Sequence, residues 1–288
     1  MMDAETLQMS AELRDELAAN DTRRLADPRE QPVRFFHLKS MGQSAAHCLH
    51  SFRKDELRES LAMRIGSGTH RLMFGQEVAV YPGKVRRGKE YDAFKSCNPH
   101  ALILSAKEKM RAQAIALALK SHPRASELLF AKGVIHERTI LWEQDGRKRR
   151  STPDAYRPGE YIIDLKTARC AEPSKFAREG MWRGYHAQLA DYRNAVEATT
   201  GKRLPCYIIA VESEAPYAVT VMPLTDRALD KGEAMVRLWF ERLRACEESG
   251  SWPGYCESEV PFDVPDEDMG LIFGEDDASD ASEDSEAS

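Results

Sequence analysis

Tyr161-Ile162-Ile163-Asp164-Leu165-Lys166-Thr167 has the composition of a short buried strand, and side chains on a strand alternate between its faces. Asp164 and Lys166 therefore share one face, while Ile163 and Leu165 occupy the other, so a carboxylate and an ammonium point at one spot. Ten residues earlier, Pro153-Asp154 follows the basic run Arg147-Lys148-Arg149-Arg150 and precedes Arg157-Pro158-Gly159. That pattern predicts a hairpin returning Asp154 to the side of Asp164. Two carboxylates held close repel unless a cation joins them. Hard oxygen donors beside a lysine suit magnesium chemistry on a phosphodiester better than zinc or redox chemistry.

Further candidates lie on the elements that must position this pair. Residues 55–76 carry a helical pattern (Leu57, Leu61, Ile65, Leu72, Met73) interrupted by Gly66-Ser67-Gly68-Thr69-His70. Two glycines weaken a helix interior by about 1 kcal/mol each, which hints at a close approach of backbone or ligand. His70 stands four residues after the first of them, although a lone histidine serves packing more often than ligation. Val134 to Trp142 reads as a strand, on which Glu137 is either a third acid or an ordinary surface residue. A long helix is expected from about Pro173 to Thr200, where Tyr185, Gln188, Leu189, Tyr192 and Val196 recur at helical spacing. An aromatic stripe of this kind is usually core, but a glutamine within it must find hydrogen-bond partners.

The remaining elements read as scaffold. Helices are expected over 3–19, 40–52, 102–121 (with Met110, Ala114, Leu117 and Ala118 as its apolar stripe) and 225–246, and strands over 77–81, 88–94, 204–212 and 217–222. Strands, a long helix and two further strands describe an α/β domain with a mixed sheet. The length of 288 residues and the 42% hydrophobic content are enough for a core. No apolar run approaches the roughly 20 residues of a membrane helix, and no signal pattern opens the chain, so the expectation is a soluble cytoplasmic protein. The six cysteines form no C-x-x-C pair and read as reduced structural thiols. The net charge of -6 hides an asymmetry, since residues 263–288 hold 11 Asp and Glu and no Lys or Arg. The rest carries 41 basic against 36 acidic residues, a net +5 compatible with a nucleic-acid partner. That acidic tail is expected to be disordered and solvating, with partner docking or DNA mimicry as the alternative.

Gly66-x-x-x-His70, Glu137, Pro153-Asp154, Asp164-Leu165-Lys166 and Gln188-x-x-x-Tyr192, in this order, resemble the motifs of the PD-(D/E)XK nuclease superfamily. Within it the chain looks like the RecE branch, the exodeoxyribonuclease VIII type of phage and prophage exonuclease. The resemblance implies a restriction-endonuclease-like core of mixed β-sheet flanked by helices. The resemblance covers about residues 35–256, and with the patterns at either end it divides the chain into an N-terminal helix and linker (1–34), a nuclease domain (35–262) and the acidic tail (263–288). It makes His70, Asp154, Asp164 and the Leu165 carbonyl metal ligands. It gives Lys166 the orientation or deprotonation of the attacking water, Glu137 a role at the edge of the metal site, and Gln188 and Tyr192 a positioning role. The second acid is Asp164 rather than Glu, as in the RecE branch.

The implied cofactor is Mg2+, with Mn2+ as a substitute. The implied activity is exonucleolytic removal of one strand, 5' to 3', from the ends of double-stranded DNA, exposing single strands for recombination. The resemblance also implies a homo-oligomeric ring, a single-strand annealing protein as partner, and a bacterial cytoplasmic setting with a phage origin. A structure-specific or restriction-like endonuclease is the alternative within the same chemistry. A non-catalytic DNA-binding protein that keeps the fold is the alternative from another class, against which the intact acids and lysine argue.

Overall fold

A computed structural model of the protein describes residues 27–53, 60–256 and 258–261. The chain divides into two compact units, Met1–Gly254 and Tyr255–Ser288, and every helix and strand below lies in the first. The helix expected over 3–19, the start of the one expected over 55–76 and the acidic tail lie outside the described residues.

In chain order the described elements are α1 (Phe35–Met41), α2 (Ala45–Arg53), α3 (Leu61–Met73), β1 (Val78–Val80), α4 (Lys89–Cys97), β2 (Leu102–Leu104), α5 (Ala106–Ser121), α6 (Pro123–Phe130), β3 (Ile135–His136), β4 (Ile140–Gln144), β5 (Arg147–Ser151), β6 (Ala155–Arg157), β7 (Tyr161–Ala168), α7 (Pro173–Arg183), α8 (Tyr185–Thr200), β8 (Cys206–Glu212), β9 (Val219–Pro223) and α9 (Asp226–Ser249). The main sheet has the order β3-β6-β7-β8-β9, with β7 and β8 parallel and the other neighbours antiparallel. It is a mixed sheet flanked by helices, as expected. β1 and β2 form a small parallel pair and β4–β5 a separate hairpin.

β7 and β8 are the apolar runs that a strand covered on both faces requires. One face sets Ile163, Leu165, Ile209 and Val211 against Ile65, Ile115, Leu119 and Leu129 of α3, α5 and α6. The other sets Ile162, Ile208 and Ala210 against Phe176, Leu189, Tyr192 and Leu229 of α7, α8 and α9. At about 1.5–3 kcal/mol for each buried Ile or Leu, these layers hold the central strand in place. All six cysteines are free, and burial pushes the Cys48 and Cys206 thiols up to about 12. Among the described residues no helix is long and apolar enough to cross a membrane.

Several local expectations are corrected. The helix expected over 40–52 is two helices, because Ser44 caps α2 by accepting from the His47 N–H at 3.2 Å. Residues 88–94 are helical rather than extended: Gly88, at φ 86°, opens α4, and Glu90 and Asp92 fall in its first turn, where the helix dipole favours acids. Leu102–Leu104 is a strand, and α5 starts after Ser105, whose side chain forms a capping box with Glu108. The stripe assigned to that helix is also wrong. Met110 and Leu117 are exposed, and Ala112, Ile115, Ala116 and Leu119 face the core, since several small alanines on each side blur the period. The strand expected over 134–142 breaks at Glu137, and the helix over 173–200 breaks at Gly184, which is left-handed at φ 73°.

Candidate active site

The site is built on β7. Asp164 is 1% exposed, and its Oδ2 stands 2.6 Å from the Lys166 Nζ two residues on, as strand alternation requires. Lys166 Nζ also donates to Gln188 Oε1 at 3.0 Å, Gln188 Nε2 donates to the Tyr192 hydroxyl at 2.7 Å, and the ammonium lies 4.8 Å from the Tyr185 ring. Tyr185, Gln188 and Tyr192 can meet one strand because they recur three and four residues apart on α8. The turn at Gly184 starts that helix where its first residue reaches the lysine.

The other flank comes from three separate segments. Pairing of Ala155 with Ile163 in the β6–β7 hairpin brings Asp154 alongside, and Asp154 Oδ2 accepts the Leu165 N–H at 2.6 Å. His70 arrives on α3, with Nδ1 3.5 Å from Asp154 Oδ1 and 3.8 Å from Glu137 Oε1, and Nε2 3.3 Å from the Leu165 carbonyl oxygen. The helix comes this close because a Cβ on Gly66 would stand 3.1 Å from Thr167 Oγ1. Glu137 sits between β3 and β4 at φ 48°, a conformation that costs a non-glycine residue about 1–2 kcal/mol. Its N–H donates to the Asp154 carbonyl at 3.0 Å, and its carboxylate is bonded by Gln76 Nε2. Strain of this kind concentrates where a side chain must be aimed.

Electrostatics follow from the crowding. Burial pushes the Asp164 carboxyl up, as does the Asp154 charge, and Lys166 only partly offsets this, leaving it at about 6. Burial opposes the charge of Lys166, yet Asp164 and Asp154 hold its pKa above the ordinary lysine value. Burial likewise opposes the charge of His70, but Asp154 and Glu137 outweigh it and raise the imidazole to about 9. Its protonated ring in turn lowers the Glu137 carboxyl, and burial holds the Tyr192 phenol well above its usual value.

The donor set fits a hard divalent ion. Asp164 Oδ2 is buried, and its contact with Lys166 lacks hydrogen-bond angles, so it retains acceptor capacity. His70 Nε2 and the Leu165 oxygen stand 3.3 Å apart in a hydrogen bond, and both would be free to ligate once that contact is given up. The set is not a finished cage: among the described residues no three His, Cys, Asp or Glu side chains converge as a metal cluster. Lys166 holds Asp164, and the Leu165 N–H occupies one oxygen of Asp154, so these contacts would have to be exchanged.

All eight residues singled out from the sequence gather around Leu165: His70, Glu137, Asp154 and the Leu165 backbone on one flank, Asp164, Lys166, Gln188 and Tyr192 on the other. Two contributors were missed. Gln76 carries no local signal, as it follows the end of α3, and Tyr185 was visible only as part of an aromatic stripe. A cavity of about 350 Å³, lined by Gly66, Ser67, His70, Arg71, Gln76 and Glu137, opens beside the acids.

A mixed sheet whose central strand carries an acid and a lysine, with a second acid on the adjoining hairpin, defines a PD-(D/E)XK-like domain. Residues 35–259 match the family described as a PDDEXK-like domain of unknown function (DUF3799), and the chain belongs to that family. A candidate exonuclease from Eubacterium rectale shares the fold at a TM-score of 0.61 and 19% identity, over 87% of this chain and 99% of its own. The alkaline exonuclease LHK-Exo of Laribacter hongkongensis aligns over 66% of this chain and 93% of its own at 16% identity, with a TM-score of 0.27 too low to carry an argument. Curated proteins returned no match.

Proposed function

We propose that the protein is a metal-dependent nuclease acting on DNA, and more narrowly a RecE-type exodeoxyribonuclease that removes one strand, 5' to 3', from double-stranded DNA ends. The observation that carries the reading is the convergence of Asp154, Asp164, Lys166 and His70 on the Leu165 backbone, a combination of acids, amine and imidazole for which packing alone has no use. Asp154, Asp164, His70 and the Leu165 carbonyl would hold magnesium, or manganese in its place. When bound, a hard divalent ion supplies Lewis acidity to the phosphoryl group and acidifies water.

The chain's own residues do the rest. Lys166, held protonated by the two acids, serves as a positive hydrogen-bond donor to the water or to the phosphoryl oxygens rather than as a base. Gln188 aims Lys166, and Tyr192 fixes the amide of Gln188. Glu137, beside His70, orients the imidazole at the edge of the site. The strand polarity, the ring assembly and the partnership with a single-strand annealing protein rest on the resemblance to the RecE branch.

End-labelled linear duplex incubated with magnesium should yield mononucleotides. Lys166→Ala and Asp164→Ala should each lower the rate by roughly a hundredfold or more. Equal cleavage of closed circular DNA would favour the endonuclease alternative. Binding of DNA with no turnover even when magnesium is supplied would favour a non-catalytic binding protein.

A further inference from the structure

The connection between β1 and α4 reads Pro82-Gly83-Lys84-Val85-Arg86-Arg87-Gly88-Lys89, four cations without an acid. Exposed lysines are common on any surface, but this run is held in place. A buried carboxylate, Glu108 of α5, receives Arg86 and also accepts from Arg64 Nε of α3 at 2.9 Å. Burial works against that carboxylate, yet Arg86, the Ser105 N–H and Arg64 bring it down to about 2. The base of the loop is fixed by rings: Tyr81 stacks edge-on against Tyr91 at 5.1 Å and Phe94 at 5.2 Å. Gly83 folds onto Tyr81 so closely that a Cβ would stand 2.6 Å from its ring. Arg86 is thus spent on anchoring, whereas Lys84, Arg87 and Lys89 are exposed and form no ion pair among the described residues. Glu90 and Asp92, in the first turn of α4, are the next acids along the chain.

The anchor also ties the loop to the helix that serves the site, since Arg64 and His70 both lie on α3. We infer that residues 82–89 form a clamp whose Lys84, Arg87 and Lys89 grip the phosphate backbone of duplex DNA beside the site. A solvated flexible loop would not need a buried carboxylate to hold one of its arginines. The inference rests on the nuclease reading above and adds to it the surface that seats the duplex.

The test is equilibrium binding of a blunt duplex and of the matching single strand, in EDTA, across a salt series. The proteins are wild type, Lys84→Ala/Arg87→Ala/Lys89→Ala, and Arg227→Ala/Arg237→Ala/Arg242→Ala as an exposed α9 control of equal charge change. A Lys84→Arg/Lys89→Arg variant keeps the charge, and thermal midpoints verify folding. The loop triple should lower the slope of log affinity against log salt by roughly 2 to 3 for duplex, while the control and the charge-conserving variant stay near wild type. An equal fall in both triples, an effect on single strands only, or an unchanged slope would overturn the clamp and leave the nuclease reading intact. Wild-type protein that binds no DNA in EDTA would overturn the clamp, and wild-type protein that also leaves DNA uncleaved in magnesium would overturn the reading on which the clamp rests.

Discussion

Metal binding at this site should compete with a proton on His70, and the size of that competition can be worked from the structure. With Asp154 Oδ1 3.5 Å and Glu137 Oε1 3.8 Å from its Nδ1, the imidazole is raised to about 9, so it is protonated at neutral pH in the metal-free protein. A protonated ring cannot ligate. Ejecting the proton at pH 7, two units below that pKa, costs about 3 kcal/mol, or roughly a hundredfold in affinity. Asp164, at about 6, is already largely ionised at pH 7 and adds little. Manganese titrated calorimetrically at pH 7 in buffers of different protonation enthalpy should release about one proton per ion, and affinity should rise roughly tenfold per pH unit up to about pH 9. The same shift acts on metal-free stability with a definite sign. The folded pKa lies above the ordinary 6.5, so the stabilisation is complete below pH 6.5 and is lost as pH rises through 9, about 3 kcal/mol in all. His70→Gln should flatten both dependences. Affinity that is level from pH 7 to 9 with no proton released would refute the reasoning.

Asp191→Ala should destabilise the fold by about 3–5 kcal/mol in denaturant unfolding, because Arg149, fully buried against Asp191 and 4.7 Å from the Trp142 ring, would lose its counter-charge. Arg149→Met/Asp191→Leu should recover much of that loss. Gly232→Ala should cost about 2 kcal/mol or more, since its Cβ would stand 2.4 Å from the His186 carbonyl oxygen, whereas Gly68→Ala meets the flexible end of Leu104 and should stay within about 1 kcal/mol of wild type. His37 is buried, accepts the Arg34 N–H at 3.2 Å, and is pushed down to about 3 by burial and by Arg34. Stability should therefore fall as pH drops below 6.5, by up to about 1.4 kcal/mol per pH unit, and His37→Gln should remove that slope.

Charge patterning by itself marked Asp154, Asp164 and Lys166, because a two-residue strand period and a turn dipeptide are local rules that the folded backbone obeyed. Gln188 and Tyr192 were readable for the same reason, from helical spacing alone. Their relation to His70 and Glu137 was not determined locally. His70 reaches Leu165 across 95 positions of sequence only because Gly66 lets α3 lie against β7, and Glu137 meets it only because the backbone turns left-handed where a continuous strand was expected. Gly184 likewise split one expected helix into two, and that break decides where Tyr185 stands. Which face of α5 is buried was set by packing against other elements, and Arg149 and Glu108 are neutralised by partners 22 to 44 residues away. Local chemistry chose which atoms could react; packing between distant segments chose their distances, because a side chain's burial and charge are set by whatever the rest of the chain brings against it.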